Sequence, residues 1–415
     1  MKVLINIILV GAVLAFLPGL AAADGEITVG ERSFTSLSEA VSYASDGDTV
    51  WVDGGEHTDT PLLIEQQIAL IGLNNPVIDA QHQGEVIRVK ANNVLIEGFT
   101  ITGSESSHIR DNAAIRFDRV TDGIVRNNIL DDNFFGIYLA RAHRTQVLDN
   151  KLTAYGTREA TSANGIHAWY TNDILIRGNT IKGHRDGIYL EYVEDSEIIR
   201  NEAEGNIRYG LHFMFSNDCV YNGNTFRNNG AGTAVMYSEN VDMHYNLFLD
   251  NWGSSSYGML LKDMRDSRIT HNQFIRNTAA IRIDGSSRME VENNRFRENG
   301  WAIRILANSP DNHFTKNDFI NNAFDVATNS RRAYSTFDKN YWSHYSGYDL
   351  DGDGYGDVPY RPVRLFSLIV EQNATALILL RSIFIDLLDI AERVVPVLTP
   401  ETLIDENPLM KEVNR

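Results

Sequence analysis

A short pattern repeated at a steady interval constrains the fold of this chain more than any other feature of the sequence. The pattern runs hydrophobic, polar, variable, Asn, polar, apolar, and successive asparagines are 22, 29, 22, 23, 22, 26, 22, 23 and 23 residues apart. These asparagines are Asn128, Asn150, Asn179, Asn201, Asn224, Asn246, Asn272, Asn294, Asn317 and Asn340. Because the interval returns to the same length after each long step, the long steps mark inserted loops, one of which is residues 153–164.

A second pattern runs in phase with the first: a small residue, an apolar one, a variable one and usually another apolar one. The small residue of this pattern is Gly136, Gly165, Gly187, Gly210, Gly258 or Ala280. Alternation of apolar and variable positions is typical of a short strand with one face buried and the other facing outward. Each repeat therefore contains a strand whose variable position points away from the core.

The length of the repeat decides the fold class. A period of about 20 to 50 residues predicts a solenoid or a propeller, and a propeller blade needs about 40 residues. A leucine-rich repeat is excluded because its leucine pattern and helical segment are absent. Asn, Gly and β-branched residues dominate the unit, so we expect an all-β fold, a right-handed parallel β-helix whose coils stack about 4.8 Å apart. Its turn asparagines then form amide ladders and belong to the scaffold.

The sequence divides into five segments on this basis. They are a signal peptide at 1–23, an N-terminal cap and first coils at 24–91 with a short helix at 37–44, β-helix repeats at 92–340, an acidic loop segment at 341–364 and an amphipathic helical tail at 365–415. The caps are expected because the open end of a solenoid is an unpaired edge.

The amino terminus predicts export. Lys2 precedes an apolar run that closes with three alanines before Asp24, which is typical of a signal peptide cleaved near Ala23. A transmembrane anchor is the alternative, although the run is at the short end of the length that crosses a bilayer. Loss of Lys2 changes the net charge from -18 to -19, which argues against nucleic-acid binding. Cys219 is the sole cysteine, so no internal disulfide forms, and we expect it to be buried and inert.

Stacking converts one sequence position into a column on the outer surface. The variable position of the second pattern predicts one column from Arg116, Tyr138, His167, Tyr189, His212, Met236, Leu260, Arg282 and Arg304. The position two residues later predicts a neighbouring column from Asp118, Ala140, Trp169, Glu191, Met214, Ser238 and Lys262. Both columns should lie on one exposed face of the solenoid.

Two exposed methionines close to histidines suggest a soft metal. Thioether and imidazole ligands suit Cu(I), and the columns bring His212, Met214 and Met236 together, with His167 just beyond. The alternative is a methionine and aromatic patch for a protein partner, and both hold if the partner supplies further ligands. By contrast, Met243, Met259 and Met289 occupy inward positions and are expected in the core.

An acidic loop follows the last repeat. Asp349, Asp351 and Asp353 occupy positions 1, 3 and 5 of an EF-hand-like loop, and Asp357 occupies position 9. Position 12 is Tyr360 where such a loop needs a bidentate glutamate. We therefore expect a structural calcium ion rather than a calcium switch, with an acidic solvated turn as the alternative.

The tail contains a long amphipathic stretch at 375–395 that ends before Pro396. Its broad apolar face must be covered, either by folding over the end of the β-helix or by docking on a membrane protein. The residues predicted to dock on a partner are Leu380, Phe384, Leu387, Leu388 and Val394.

The carboxy-terminal motifs resemble the NosD family. They include Asn340-Tyr341-Trp342, the acidic loop at 347–360, a run beginning at Arg361-Pro362, and residues 407–410, which read Asn-Pro-Leu-Met. The preceding coils are similar to the carbohydrate-binding and sugar-hydrolase type repeat of that family over most of the mature chain.

The resemblance implies a periplasmic accessory protein, held at the inner membrane through a transporter and not itself an enzyme. It would bind or relay copper as Cu(I), possibly with sulfur, during maturation of the copper centre of nitrous oxide reductase. Implied partners are the membrane subunit of an ABC transporter, a copper chaperone lipoprotein and the reductase. The alternative is a polysaccharide lyase, epimerase or hydrolase, or a sugar-binding protein, because the same scaffold serves those functions.

Overall fold

The computed structural model describes residues 25–330, 334–380, 382–385, 387–388 and 403–413. Over them the chain winds as a right-handed parallel β-helix of about 13 turns, as the repeat predicts. Each turn contributes one short strand to each of three sheets. The predicted signal peptide lies outside the described residues.

Within the described ranges, each of the three sheets is a long stack of short strands. The first has 15 strands: Glu26–Val29, Arg32–Phe34, Thr49–Asp53, Ala69–Leu73, Leu95–Glu97, Ile124–Arg126, Gln146–Leu148, Leu175–Arg177, Glu197–Ile199, Val220–Asn222, Asp242–His244, Arg268–Thr270, Glu290–Glu292, His313–Thr315 and Thr336–Asp338. The second has 13: Glu56–His57, Val77–Asp79, Thr100–Thr102, Ile129–Asp131, Lys151–Thr153, Thr180–Lys182, Glu202–Glu204, Thr225–Arg227, Leu247–Leu249, Gln273–Ile275, Arg295–Arg297, Asp318–Ile320 and Tyr341–Trp342. The third has 12: Leu62–Ile64, Ile87–Val89, Ala113–Asp118, Phe135–Ala140, Ile166–Asn172, Asp186–Glu194, Tyr209–Met214, Ala231–Met236, Tyr257–Lys262, Ala279–Asp284, Trp301–Ile305 and Phe324–Thr328.

Inward-facing side chains form columns inside the solenoid. One column stacks its rings with centroids 4.1 to 5.3 Å apart and consists of Phe226, Phe248, Phe274, Phe296, Phe319 and Trp342. Met243, Met259 and Met289 are fully buried, which confirms their place in the core. Cys219 is also fully buried, and burial raises the pKa of its thiol to about 12, so the thiol is unreactive at neutral pH.

The repeat asparagines form a continuous buried ladder, as predicted. The side-chain carbonyl of Asn150 accepts from the Nδ2 of Asn128 at 3.1 Å and from its backbone N–H at 3.0 Å. The same pair of bonds joins each later asparagine to the next as far as Asn340. Buried amides are costly unless hydrogen-bonded, so the ladder fixes the register of successive coils.

A second ladder runs along another turn. Its asparagines are Asn206, Asn229, Asn251, Asn277, Asn299 and Asn322. His184 occupies the preceding step, because its backbone N–H donates to the Oδ1 of Asn206 at 3.1 Å. Its ring is buried and neither ring nitrogen has a hydrogen-bond partner among the described residues. A histidine therefore stands where the later coils carry an amide.

The amino-terminal end of the solenoid is covered by helix α1, Leu37–Tyr43. Ser36 caps the helix by accepting from the backbone N–H of Glu39 at 3.1 Å. Its residues Leu37, Ala40 and Val41 are buried. The short capping helix predicted at 37–44 is confirmed.

At the other end, residues 403–413 return to the last coil. Asp405 bridges Phe337 and Leu409 bridges Tyr341, both in parallel. Residues 403–413 contain no helix in the structure, so the prediction of a helical tail over 365–415 was wrong there. They form a cap because the last coil offers unpaired backbone groups that need partners.

Helix α2, Leu365–Gln372, packs on Phe324–Thr328 of the third sheet. Its Phe366 and Val370 are buried, and Glu371 accepts two hydrogen bonds from Arg304, each at 2.9 Å. The tail thus begins with a helix that closes over the outer face of the third sheet.

A continuous helix over 375–395 is not what the structure shows. Asn373 ends α2 in extended backbone, and a 3-10 helix follows at Ala374–Leu379. The side chain of Asn373 accepts from the backbone N–H of Thr375 at 3.2 Å and starts this second element. Helical residues continue at 383–385 and 387–388, and the stretch 389–402 lies outside the described residues.

Candidate functional site

The outer face of the third sheet carries the column predicted from the repeat, with one correction. Strand pairing aligns Arg116, Tyr138, His167, Tyr189, His212, Ala234, Leu260, Arg282 and Arg304. Ala234, not Met236, occupies the step after His212. The placement of Met236 in this column was wrong by two residues.

The correction follows from the glycine that precedes each strand centre. A Cβ on Gly210 would lie 2.7 Å from the carbonyl oxygen of Gly232, and one on Gly232 would lie 2.4 Å from that of Gly258. Gly232 is therefore the small residue of its coil. Ala234 had in effect taken that position in the sequence-based prediction, which placed Met236 two residues later. Since strand side chains alternate with period two, Met236 keeps its outward direction but moves to the neighbouring column.

That shift brings the two methionines into direct register. Met214 pairs with Met236 across adjacent strands, and both side chains are half-buried on the outer face. The hydroxyl of Tyr189 donates to the sulfur of Met214 at 3.5 Å. Facing Cβ atoms on neighbouring strands lie close enough for their side chains to act on one ligand.

His212 lies two residues before Met214 on the same face, but it is buried, with 6% of its surface exposed. Its ring packs between Tyr189 and Tyr209, with centroid distances of 4.7 and 4.9 Å. The expectation that this histidine is exposed was wrong, because the aromatic side chains on either side cover it. Its Nε2 has no hydrogen-bond partner among the described residues.

His167 is buried in the same stack, two coils from His212. Tyr138 and Tyr189 lie on its two sides, with ring centroids at 4.6 and 4.7 Å. Burial, with help from the positive charge of Arg185, lowers its pKa to about 3, so the imidazole is neutral at physiological pH. The ring of Tyr189 separates the two histidines, and they do not share one coordination sphere.

A second hydrophobic cluster covers the part of this face near Tyr138. Its buried members are Ala113, Phe135, Tyr138, Ala140 and Ala163. Ala163 belongs to the insert 153–164 that was predicted as a loop, and this insert packs over the outer side of the sheet. The repeat indicates which residues face outward, but not that a loop returns to cover them.

An ion pair between the buried Asp186 and the half-buried Arg208, next to His212, was not foreseen. Arg208 donates to both carboxylate oxygens of Asp186, at 3.0 and 2.6 Å, and the Nδ1 of His212 lies 3.7 Å from Asp186. Burial acts to raise the pKa of Asp186, but the nearby His212 and the two hydrogen bonds from Arg208 outweigh it and leave that pKa below its usual value. The sequence signal that could have revealed this ion pair is the spacing of its two opposite charges, which are 22 residues, or one repeat, apart.

The acidic loop brings its aspartates together as the sequence predicts. Carboxylate oxygens of Asp349, Asp351 and Asp353 lie within 4.8 Å of one another. Asp349 accepts from the backbone N–H groups of Gly352 and Gly354 at 2.7 and 3.0 Å. Exposed acidic clusters of this kind also occur without a metal, so calcium stays a prediction.

The other two positions of that loop differ in their roles. Asp357 accepts from the backbone N–H of Leu350 at 2.7 Å and stays within the loop. Tyr360 turns inward and its hydroxyl donates to Asp325 at 3.0 Å. Position 12 of the loop therefore offers no calcium ligand.

The residues predicted to dock on a partner divide into two groups. Leu380 and Leu388 pack against the buried cluster of Phe324 and Phe366. Phe384 and Leu387 are 47% and 59% exposed. Val394 lies outside the described residues. Ile378 and Ile383, which the sequence analysis did not single out for docking, are 90% and 78% exposed and extend this surface. No helix in the part of the chain that the structure describes is long and apolar enough to span a membrane.

Comparison with known proteins places the chain in a family. The family model described as periplasmic copper-binding protein (NosD) matches residues 153–355, and the one described as right handed beta helix region matches residues 59–179. A probable ABC transporter binding protein NosD of Pseudomonas aeruginosa is 30% identical over 392 residues, which are 90% of this chain and 91% of the relative. Its namesake in Stutzerimonas stutzeri is 29% identical over 411 residues, 94% and 92% of the two chains.

Solved structures share the fold. The A-module of the mannuronan C-5 epimerase AlgE6 of Azotobacter vinelandii superposes with a TM-score of 0.59 at 14% identity, covering 72% of this chain and 91% of the module. A PL6 alginate lyase bound to a trisaccharide gives 0.58 at 13% identity, covering 73% and 81%. At these identities the likeness concerns the solenoid alone.

Fold and site together define a class: the chain is a parallel β-helix protein whose third sheet carries methionine, histidine and aromatic side chains on its outer face. The two relatives are matched over about nine-tenths of their length at close to 30% identity. The chain belongs to the NosD family.

Proposed function

We propose that this protein is a periplasmic accessory protein that receives Cu(I) and passes it on, in association with an ABC transporter, during maturation of the copper centre of nitrous oxide reductase. The family description as a periplasmic copper-binding protein supports the copper role. The description of both relatives as ABC transporter binding proteins supports the association with a transporter. A copper chaperone lipoprotein and the reductase are the further partners that the family resemblance implies.

The observation that carries the copper role is the methionine pair. Met214 and Met236 are paired neighbours on adjacent coils, and both are half-buried. Methionine usually fills gaps in cores, so two thioethers side by side on an outer face are available to a soft ion. Cu(I) prefers thioether and imidazole ligands.

His212 is the third ligand in this proposal. It lies on the same face two residues before Met214, and its Nε2 is unpartnered among the described residues. Its other ring nitrogen, Nδ1, lies 3.7 Å from Asp186, so in this proposal Nδ1 carries the proton and faces the carboxylate, which orients the ring and leaves Nε2 for the ion. A second group that orients the imidazole is usual for metal-binding histidines. His167 would belong to a separate step of the relay, because it lies two coils away.

Transporter association is assigned to the exposed part of the tail. Ile378, Ile383, Phe384 and Leu387 are exposed apolar side chains within a short stretch of the tail. Apolar patches of this kind mark contacts with proteins or membranes. The membrane subunit of the transporter is the proposed occupant, since both relatives are described as binding such a transporter.

A competition titration for Cu(I) against a chromogenic chelator tests the copper role. Met214→Leu and Met236→Leu keep the side-chain volume and remove the sulfur, so each should weaken Cu(I) binding at least tenfold. Met410→Leu is the matched control, because Met410 is also half-buried but lies in the C-terminal cap. Equal Cu(I) affinities in the unaltered protein and the three variants would refute the assignment of the methionine pair as copper ligands.

A further inference from the structure

A row of four aromatic rings, three of them exposed, runs along the solenoid next in sequence to the methionine pair. Tyr170, Tyr192, Phe215 and Tyr237 come from four successive coils and stack face to face, with centroids 4.4, 5.1 and 5.0 Å apart. The three tyrosines are 44%, 38% and 37% exposed. We call these four residues the aromatic row.

The backbone of the aromatic row is unusual for such residues. Its φ angles are +49°, +54°, +52° and +54°, the left-handed region that disfavours bulky side chains and suits Gly, Asn and Asp. Neighbouring coils carry Arg141, Asp263 and Gly285 at left-handed turn positions after the third-sheet strand. Four aromatic residues at strained positions, none of them in the core, indicate a role for the surface they create.

Ring stacking limits what the aromatic row can bind. Each inner ring has both faces covered by its neighbours. At the ends, Trp169 and Arg141 contact Tyr170, and Lys262 lies over Tyr237. Sugars bind aromatic side chains through a free ring face. The row instead presents ring edges and hydroxyl groups as a narrow apolar strip, which suits the side chains of a protein segment.

The charges beside the strip select the kind of segment. Five acidic residues lie within three positions of Tyr192, Phe215 or Tyr237 in the sequence, and four of them are exposed: Glu191, Glu194, Asp195, Asp218 and Glu239. In the part of the chain that the structure describes, none of these five carboxylates takes part in an ion pair. Cations lie at the two ends of the row, where Lys262 contacts Tyr237 and Arg141 contacts Tyr170. One more cation, Arg265, lies beside Phe215 and Tyr237.

A depression of about 330 Å³ opens beside the row. Its walls include Phe215, Tyr237, Glu239 and Asp263, together with Arg265. Its two carboxylates outnumber its one cation, Arg265, so the depression suits a basic side chain, which gains from both the negative charge and the aromatic rings.

From these observations we infer that the aromatic row and its acidic flank form a docking surface for a protein segment that carries basic and apolar side chains together. The segment lies along the solenoid axis, with apolar side chains on the ring edges and a Lys or Arg in the depression. Binding here requires no copper, so the inference does not depend on the proposed copper role.

Titration of the full-length mature protein with synthetic peptides, without metal, tests this docking surface. An amphipathic Leu/Lys helix should bind, whereas a Leu/Glu helix of the same pattern and a uronate tetrasaccharide should not. Tyr192→Asn should weaken binding of the Leu/Lys peptide at least tenfold. Asn suits the left-handed backbone, so this variant should fold, which circular dichroism would verify.

Two controls separate the docking surface from general attraction to an acidic protein. Tyr245→Asn removes an exposed aromatic residue with φ +54° on another turn, and Glu290→Gln removes an exposed acid on the first sheet. Both should leave the affinity unchanged, while Glu239→Gln should lower it. Equal loss in Tyr192→Asn and Tyr245→Asn, preference for the Leu/Glu peptide, or binding of the sugar would overturn the inference.

Discussion

The side chain of Asp405 stands where the next asparagine of the buried ladder would be. Its Oδ2 accepts from the backbone N–H and the Nδ2 of Asn340, at 3.0 and 3.1 Å. The same oxygen accepts from the indole N–H of Trp342 at 2.9 Å. A residue 65 positions further along the chain thus closes the ladder. A carboxylate suits this position because it only accepts hydrogen bonds, and the groups that face it here are donors.

Replacing Asp405 should therefore destabilise the C-terminal end strongly. Asp405→Ala leaves several buried donors without acceptors, so we expect a loss of about 3 kcal/mol or more in the free energy of unfolding. Asp405→Asn keeps one acceptor and should lose less. Urea unfolding measures the free energy of unfolding of each variant. Glu406→Ala, which changes an exposed neighbouring residue, is the control. A midpoint for Asp405→Ala equal to that of the control would contradict this account.

Stability should fall in acid because of His184. Burial lowers the pKa of this histidine from 6.5 to about 4, so between those values the unfolded chain binds a proton that the folded chain does not. The free energy of unfolding therefore decreases as the pH falls from 6.5 to 4, by at most about 1.4 kcal/mol per pH unit for this group.

His184→Asn should reduce that pH dependence and extend the second ladder by one amide. Urea unfolding at several pH values between 7 and 4 checks the slope. His271→Asn, which removes an exposed imidazole, serves as the control. His167 contributes a slope of the same sign, so the variant should retain part of the dependence. An unchanged slope would show that His184 does not titrate as described.

The acidic loop should respond to calcium. If Asp349, Asp351 and Asp353 bind Ca²⁺, the ion stabilises the folded state, by about 2.7 kcal/mol when its concentration is one hundred times Kd. Thermal unfolding with and without Ca²⁺ should show a rise in Tm that Asp349→Asn abolishes. Asp195→Asn, which removes an exposed acid elsewhere, should keep the rise. No rise in the unaltered protein would leave the loop as an acidic turn.

The exposed part of the tail should govern association with membranes that contain the transporter. Phe384→Asp and Leu387→Asp place a charge on an apolar docking surface without disturbing the core, and each should shift the protein from the membrane fraction to the soluble fraction. Ile109→Asp changes an apolar residue that is 95% exposed on a distant loop and should have no effect. Equal membrane association of the unaltered protein and all variants would exclude this surface as the site of docking.

The fold was predictable because a period in the sequence becomes a neighbour relation in a solenoid. The asparagine spacing alone predicts the ladder partners of Asn128, Asn150 and the later members. The register of one coil was not predictable, since Gly232 and Ala234 both fit the small position and differ by two residues. Both placements leave Met236 facing outward, so the alternation of apolar residues does not distinguish them.

Burial of the site was harder to predict than its direction. The column position of His212 gives its outward direction, but the covering by Tyr189 and Tyr209 depends on side-chain conformations. The ladder-closing role of Asp405 was equally hidden, because the chain between Trp342 and Asp405 carries no repeat. The motif at 407–410 had marked the family, and the structure gives it a place in the C-terminal cap.

The central claim is that Met214, Met236 and His212 hold Cu(I) on the outer face of the third sheet. Copper K-edge X-ray absorption of the mature protein loaded with one equivalent of Cu(I) examines the ligands directly. The account predicts a shell of sulfur and nitrogen whose sulfur contribution disappears in a Met214→Leu, Met236→Leu double variant. A shell of nitrogen and oxygen alone, or a sulfur contribution unchanged in that variant, would contradict it.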